Sequence, residues 1–236
     1  MGNAASEWGL AGIEALREQI SVIVIVDVLS FSTAVDVAVA RGAVIYPFPY
    51  ADPDAAQIAA DRVGAVLAQP RRAAAGQFSL SPGSLAAVPP GTKLMLPSPN
   101  GSRLSLACGA TPVLTGCLRN AAAVAKAARE IAGGGDVGVI PAGELWPDGS
   151  LRPAIEDLLG SGAVIHHLEM SCSPEAQMAR DAYRSAGIVV ASLIRASVSG
   201  RQLIDRGFPG DVEIAVEQNV SAQAPAFRDG AYRPRV

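Results

Sequence analysis

The sequence has few cysteines and no long apolar run, and each shortage excludes a class of protein. Its three cysteines, Cys108, Cys117 and Cys172, form an odd set without CxxC spacing, so buried thiols are expected rather than a disulfide framework or a zinc site. Apolar runs such as 22–26 are far shorter than the ~20 residues that cross a bilayer, and residues 1–19 lack a cationic leader followed by an apolar run. The sequence therefore predicts a cytoplasmic protein without a membrane anchor.

The sequence also lacks an excess of basic residues. Its 19 Lys and Arg residues are outnumbered by 22 Asp and Glu residues, which gives a formal net charge of −3. Because a polyanion is bound by a clustered cationic face, nucleic acid is not expected as a partner. The 236 residues are 50% hydrophobic, which suffices for one α/β domain over 1–236 or two closely packed lobes. Such an apolar chain is also compatible with a homodimer.

Strand and helix patterns alternate along most of the chain. Residues 21–26 form a β-branched apolar run that is typical of a central parallel strand. The segment 69–91 shows neither period and predicts a long loop. The other predicted strands are 43–48, 65–68, 92–96, 112–118, 137–140 and 211–216, and the predicted helices are 33–41, 53–63, 102–107, 121–132, 155–168, 174–186 and one or two within 188–206. This alternation predicts a three-layer α/β/α fold with a mostly parallel or mixed sheet.

Polar residues follow the predicted strand ends, where ligands bind in sheets of this type. Asp27 ends the first strand, Arg71-Arg72 follows the third, and Glu144 follows 137–140. An Asp at the end of an all-apolar strand is costly unless it is hydrogen-bonded, paired or metal-bound, so Asp27 is the strongest single candidate. Its alternative role is to cap a helix.

Three further segments carry candidate residues. In Asn100-Gly101-Ser102-Arg103, Gly allows close backbone approach to a phosphate and Arg offers a bidentate clamp, although Asn-Gly is also an ordinary turn dipeptide. Asn120 is placed to cap the helix 121–132, and a ligand role would be additional. Glu156-Asp157 opens an apolar helix as either a metal-binding or a solvated pair, and Asp211 is either a turn residue or part of the site.

Taken in order, these segments resemble the ComB family, the magnesium-dependent 2-phosphosulfolactate phosphatases of coenzyme M biosynthesis. The resemblance covers about 22–227 and is carried by Val26-Asp27-Val28-Leu29 with Thr33, Asn100-Gly101-Ser102-Arg103, the stretch 116–124, Ala142-Gly143, Glu156-Asp157 followed by Gly162-Ala163, and Gly210-Asp211-Val212. It implies an α/β/α phosphomonoesterase that uses Mg²⁺ and acts on a small phosphorylated carboxylate or sulfonate.

The residue chemistry and the resemblance together give a set of expected site residues, although the resemblance itself does not assign their separate roles. Asp27, Arg103 and Asn120 are the expected catalytic residues. Mg²⁺ is expected on carboxylates drawn from Asp27, Glu156, Asp157 and Asp211, and the substrate on Ser30, Asn100, Gly101, Ser102 and Arg71. Arg103 and backbone N–H groups would hold the phosphoryl oxygens while water or Asp27 attacks phosphorus.

The chain departs from the family pattern at three places. Ser30 stands where the family usually has Arg, Gln69-Pro70-Arg71-Arg72 replaces a Glu-Arg-Gly segment, and Ser79-Leu80-Ser81-Pro82 replaces an Asp-x-Gly-Asn-Ser-Pro pattern. These changes leave open a degenerate relative that binds a phosphorylated metabolite or a protein partner without turnover. A haloacid-dehalogenase-like phosphatase is a further alternative for Asp27, but Leu29 occupies the position of its expected second Asp.

Overall fold

The computed structural model describes residues 2–49, 52–71 and 77–235. Its strands are β1 (Asn3–Ser6), β2 (Val22–Val26), β3 (Val44–Pro49), β4 (Val66–Leu67), β5 (Lys93–Ser98), β6 (Val113–Gly116), β7 (Val137–Pro141), β8 (Glu144–Leu145), β9 (Leu151–Arg152), β10 (Ser171–Cys172), β11 (Ala226–Arg228) and β12 (Ala231–Arg233). Its α-helices are α1 (Gly9–Leu16), α2 (Phe31–Ala40), α3 (Pro53–Val63), α4 (Pro82–Leu85), α5 (Gly101–Ala107), α6 (Ala121–Ala132), α7 (Ile155–Leu168), α8 (Pro174–Ala186), α9 (Val190–Ala196), α10 (Val198–Asp205) and α11 (Pro209–Ala215).

A mixed sheet of ten strands organises the molecule, in the order β10-β1-β7-β2-β6-β11-β12-β3-β5-β4. The strands from β10 to β6 pair in parallel, and so do β3, β5 and β4. Between these groups lies the β11–β12 hairpin, which pairs antiparallel with both neighbours. The structure confirms the predicted mixed sheet, but the hairpin was not predicted because its two strands are only three residues long.

Two hydrophobic clusters cover the two faces of the sheet, as the alternation along β2 shows. Val22, Val24 and Val26 belong to the cluster that includes α6 and α7, whereas Ile23 and Ile25 belong to the one that includes α2 and α5. All five side chains of β2 are fully buried. Helices on both faces of a central sheet confirm the predicted three-layer α/β/α architecture.

The sheet is bent so that the carboxyl ends of β2 and β5 meet. In a flat sheet the five steps of the strand order between them would span about 24 Å. However, the backbone N–H of Gly101, which follows β5, donates a hydrogen bond of 2.9 Å to the carboxylate of Asp27, which follows β2. The bend thus places two distant chain segments in one site.

Local signals explain both ends of α3. The Asp52 carboxylate caps α3 by accepting from the N–H groups of Asp54 and Ala55, and Gly64 ends this helix in the left-handed conformation. Helices α7 and α8 have the predicted bounds of 155–168 and 174–186.

One predicted element has the wrong type. Residues 209–215 form helix α11, not the end of a strand at 211–216. Pro209 occupies the first helical turn, and Val212, Ala215 and Val216 are buried at the three- and four-residue spacing of a helix face. The predicted loop 69–91 contains the short helix α4, and Arg72 lies outside the described residues.

Among the described residues, no single helix combines the length and apolarity needed to cross a bilayer. The segments Pro174–Ala196 and Val198–Asp205, bent by 50°, meet the length and composition criterion only when they are taken together.

Candidate active site

A cavity of about 850 Å³ opens at the carboxyl ends of β2, β3, β5 and β7. One wall is formed by α10, and the start of α3 contributes to another. The polar and charged residues that line the cavity are Asp27, Ser30, Asp52, Gln69, Arg71, Ser98, Asn100, Glu144, Ser199, Gln202 and Arg206. Both signs of charge face one volume, which suits a small anionic ligand next to carboxylates.

Asp27 connects the starts of two helices. Its Oδ1 accepts a hydrogen bond of 3.2 Å from the N–H of Phe31 at the start of α2, and its Oδ2 accepts one of 2.9 Å from Gly101 at the start of α5. The side chain is buried yet lines the cavity. Asp27 therefore caps helices, as the alternative interpretation of the sequence suggested, and also faces the ligand volume.

Burial raises the pKa of Asp27 from 3.8 to about 7. The negative charge of Glu144 raises it further, while the two backbone hydrogen bonds and the charge of Arg71 act in the opposite direction. A carboxyl group with a pKa near neutrality can take up and release a proton at working pH. Such a group at a cavity is suited to general acid–base catalysis.

Three further carboxyl groups lie close to Asp27 or to one another. Asp157 is buried and accepts backbone hydrogen bonds from Val28 at 2.7 Å and Gly143 at 2.9 Å. Burial, followed by the charges of Asp27 and Glu156, raises the pKa of Asp157 well above its usual value. These groups, together with Glu144, form what we term the carboxylate cluster, in which like charges help to raise the pKa of Asp27, Glu144 and Asp157.

Glu144 extends the carboxylate cluster into the cavity. Its Oε2 accepts a hydrogen bond of 2.9 Å from the amide of Asn100. Burial raises the pKa of Glu144, the charge of Glu156 adds to this increase, and the hydrogen bond from Asn100 opposes it. The amide of Asn100 thus orients a carboxyl group instead of capping α5, for which no side-chain hydrogen bond is found in the described structure.

Arg71 brings positive charge close to Asp27. Its Nε donates to Asp211 at 3.1 Å, and its Nη2 donates to the hydroxyl of Ser30 and to the carbonyl of Leu80. Asp211 also accepts a hydrogen bond from Ser81. The guanidinium lies 5.7 Å from the ring centre of Phe208, so Arg71 is held by several groups while it lines the cavity.

Comparison with known proteins places this chain in a family. Residues 13–230 match the family described as 2-phosphosulpholactate phosphatase. The chain belongs to that family. It is also 35% identical over 140 residues to a protein of Methanothermobacter thermautotrophicus named 2-phosphosulfolactate phosphatase. That match covers 59% of this chain and spans 58% of the length of the relative.

Several predicted site residues of this family member lie in or beside the cavity. Asp27, Ser30, Arg71 and Asn100 line it, and Gly101 donates to Asp27. A Cβ atom at Gly101 would lie 2.2 Å from the Phe31 ring, which explains why glycine is needed there. The structure thus brings together residues from segments far apart in the sequence.

The predicted catalytic or substrate-binding residues that do not reach the cavity include Arg103, Ser102 and Asn120. Arg103 is exposed and is absent from the described cavity lining. Ser102 is buried and donates to the carbonyl of Leu96, while the Oδ1 of Asn120 accepts from the N–H of Cys117. Asn120 precedes α6 without a side-chain cap hydrogen bond, so its side chain stabilises the preceding turn instead. Arg71, rather than Arg103, supplies the guanidinium next to Asp27.

The predicted metal residues separate into two groups. Asp27, Glu156 and Asp157 belong to the carboxylate cluster, whereas Asp211 pairs with Arg71. The cluster offers carboxylate oxygens, the type of ligand that Mg²⁺ prefers, and the Oε2 of Glu156 is buried without a partner in the described structure. Within residues 2–49, 52–71 and 77–235, no three His, Cys, Asp or Glu side chains are arranged to hold a metal ion.

Two groups of cavity residues fall outside the predicted site. Glu144 has a sequence signal, because it follows the predicted strand 137–140. The residues of α10 have none, since an amphipathic helix near the end of a chain does not reveal which cavity it covers. Ser199, Gln202 and Arg206 enter the site only through tertiary packing.

Proposed function

We propose that this protein is a phosphatase that hydrolyses a small 2-phospho acid, with 2-phosphosulfolactate as the first candidate substrate, to the hydroxy acid and phosphate. Its family membership and the name of its relative support this reaction class. The observation that carries the proposal is the position of Asp27, with a pKa of about 7, in the same cavity as the guanidinium of Arg71.

In this proposal, Arg71 holds the phosphoryl oxygens. Its Nε and Nη2 donate hydrogen bonds to Asp211, Ser30 and Leu80, and these bonds fix the plane of the guanidinium. Its Nη1 has no hydrogen-bond partner among the described residues. Charge-assisted hydrogen bonds from a fixed guanidinium suit a tetrahedral dianion. The hydroxyl of Ser30 lies within reach of the same ligand.

Asp27 serves as the general base. Its carboxylate is oriented by the N–H groups of Phe31 and Gly101 and takes a proton from the water that attacks phosphorus. The departing oxygen takes up a proton from solvent. Leu29 at the second position after Asp27 argues against a haloacid-dehalogenase-like mechanism, and rapid-quench detection of a phosphoenzyme would contradict the role of Asp27 as base.

Magnesium is part of the proposal, and Glu144 and Glu156 are the carboxylates that would hold it next to the cavity, which leaves Asp27 to accept the proton. Bound there, the ion would neutralise phosphoryl charge. Mg²⁺ commonly uses one or two protein carboxylates and completes its shell with water and substrate oxygens. Complete chelation is expected to abolish turnover, and full activity in excess chelator would exclude this part of the proposal.

Phosphate release from a panel of small phosphoesters, with and without Mg²⁺, tests the proposed activity. Turnover of 2-phosphosulfolactate or 2-phospholactate is the expected result. Binding of these compounds without phosphate release would instead favour a degenerate family member that binds a phosphorylated metabolite without turnover, the alternative suggested by Ser30.

A homodimer and a cytoplasmic location are two separate proposals. Light scattering tests the first, and cell fractionation tests the second.

A further inference from the structure

One face of α10 lines the cavity. Ser199, Gln202 and Leu203, followed directly after the helix by Arg206, all face it. Their spacing of three, four and seven residues is that of a single helix face. This wall is built by a segment far in sequence from the strand ends that supply Asp27 and Asn100. It adds a hydroxyl, an amide and a guanidinium group to those that the strand ends supply.

The three guanidinium groups around the site differ in their partners. Arg71 pairs with Asp211 and donates to Ser30, and Arg152 donates to Ser199 at 2.9 Å. Arg206 lines the cavity, is exposed, and makes no salt bridge or side-chain hydrogen bond to any described residue. Its guanidinium is thus available to a ligand.

Arg206 lines the same cavity as the carboxyl groups of Asp27 and Glu144. Arg71 lines it too, so two guanidinium groups from distant chain segments share this cavity. Two cationic groups thus accompany two different carboxyl groups in one cavity, which suits a ligand with two separate anionic groups.

We propose that Arg206 binds the second acid group of the substrate, its carboxylate or sulfonate, while Arg71 binds the phosphate. This inference rests on the proposed phosphatase function, and it assigns specificity for 2-phospho acids over simple phosphoesters to α10. The amide of Gln202, one helical turn before Arg206, lies on the same wall and can donate to the same acid group.

The test compares Arg206→Gln with wild-type protein on 2-phospholactate and on isopropyl phosphate, in which a methyl group replaces the carboxylate. Loss of one charge-assisted pair is expected to raise KM for 2-phospholactate about 10–100-fold. KM for isopropyl phosphate, or its inhibition constant if it is not hydrolysed, should change less than about twofold. Arg201→Gln is the matched control, because Arg201 is exposed on the same helix but does not line the cavity.

Two outcomes would overturn the assignment. An unchanged KM for 2-phospholactate would remove Arg206 from substrate binding, and an equal loss on both compounds would place it at the phosphate. Calorimetry with 3-sulfolactate, which carries no phosphate, separates this inference from the proposed activity. Sulfolactate that binds wild-type protein and not Arg206→Gln would support the inference even if no phosphoester is hydrolysed, whereas absence of binding to wild-type protein would overturn it.

Discussion

The carboxylate of Asp27 and the backbone N–H of Gly101 are joined by a hydrogen bond of 2.9 Å across 74 residues of sequence. The bond links the end of β2 to the start of α5. It also helps to hold the proposed general base at the cavity. The other carboxylate oxygen of Asp27 accepts a hydrogen bond from the N–H of Phe31. The architecture of the site therefore depends on how closely the starts of α2 and α5 can approach.

Gly101→Ala is expected to destabilise the fold. The new Cβ atom would lie 2.2 Å from the Cδ1 atom of Phe31, and relieving such overpacking costs about 1–3 kcal/mol. The free energy of unfolding measured in urea checks this value. Gly210→Ala is the control, since nothing lies within 4 Å of its Cβ position, and equal stability of the two variants would contradict the predicted close approach.

Asp27→Asn is expected to lower kcat by about 10²–10⁴, the usual contribution of a general base. Steady-state phosphate release measures this loss. A pH profile is the second measurement: wild-type kcat/KM should rise towards a plateau above pH 7, because the pKa of Asp27 is about 7. Asp52→Asn is the matched control. Asp52 also lines the cavity, and Asn caps a helix as well as Asp, so activity should stay within about threefold of wild type.

Stability without divalent cations should depend on pH through Asp27. Its pKa is about 7 in the folded protein and near 3.8 when unperturbed, so the folded state binds more protons between these values. The contribution of Asp27 is therefore fully present at low pH and is lost as pH rises through about 7. Urea unfolding of wild type and Asp27→Asn between pH 4.5 and 8 measures the difference, and a difference that grows in favour of wild type as pH rises would contradict it.

Arg71→Lys is expected to lower kcat/KM about 10–100-fold, because an ammonium group cannot replace several directed guanidinium hydrogen bonds. The variant keeps a positive charge next to Asp211, so the fold should persist. Arg103→Lys is the control and should stay within about twofold of wild type, since Arg103 lies outside the described cavity lining. A loss in Arg103→Lys that matches the loss in Arg71→Lys would restore Arg103 to the site.

Helices α7 and α8 show what local pattern can predict. Their observed bounds match the expected ones because the helical repeat is encoded within each segment, and α8 is also capped by the side chain of Ser173. The segment 211–216 shows what local pattern cannot predict. A short apolar run fits both a strand and a helix, and only the neighbouring elements select one of them.

The sequence by itself determined the α/β alternation, the buried central strand β2 and the position of Asp27 at its end, since each depends on residues close together in the chain. Only the tertiary structure decided that Arg71 rather than Arg103 faces Asp27, that Asp211 pairs with Arg71, and that α10 closes the cavity with Arg206. These contacts depend on the bend of the sheet and on which helix face packs inward. Both are set by burial summed over many distant residues, which no single segment encodes.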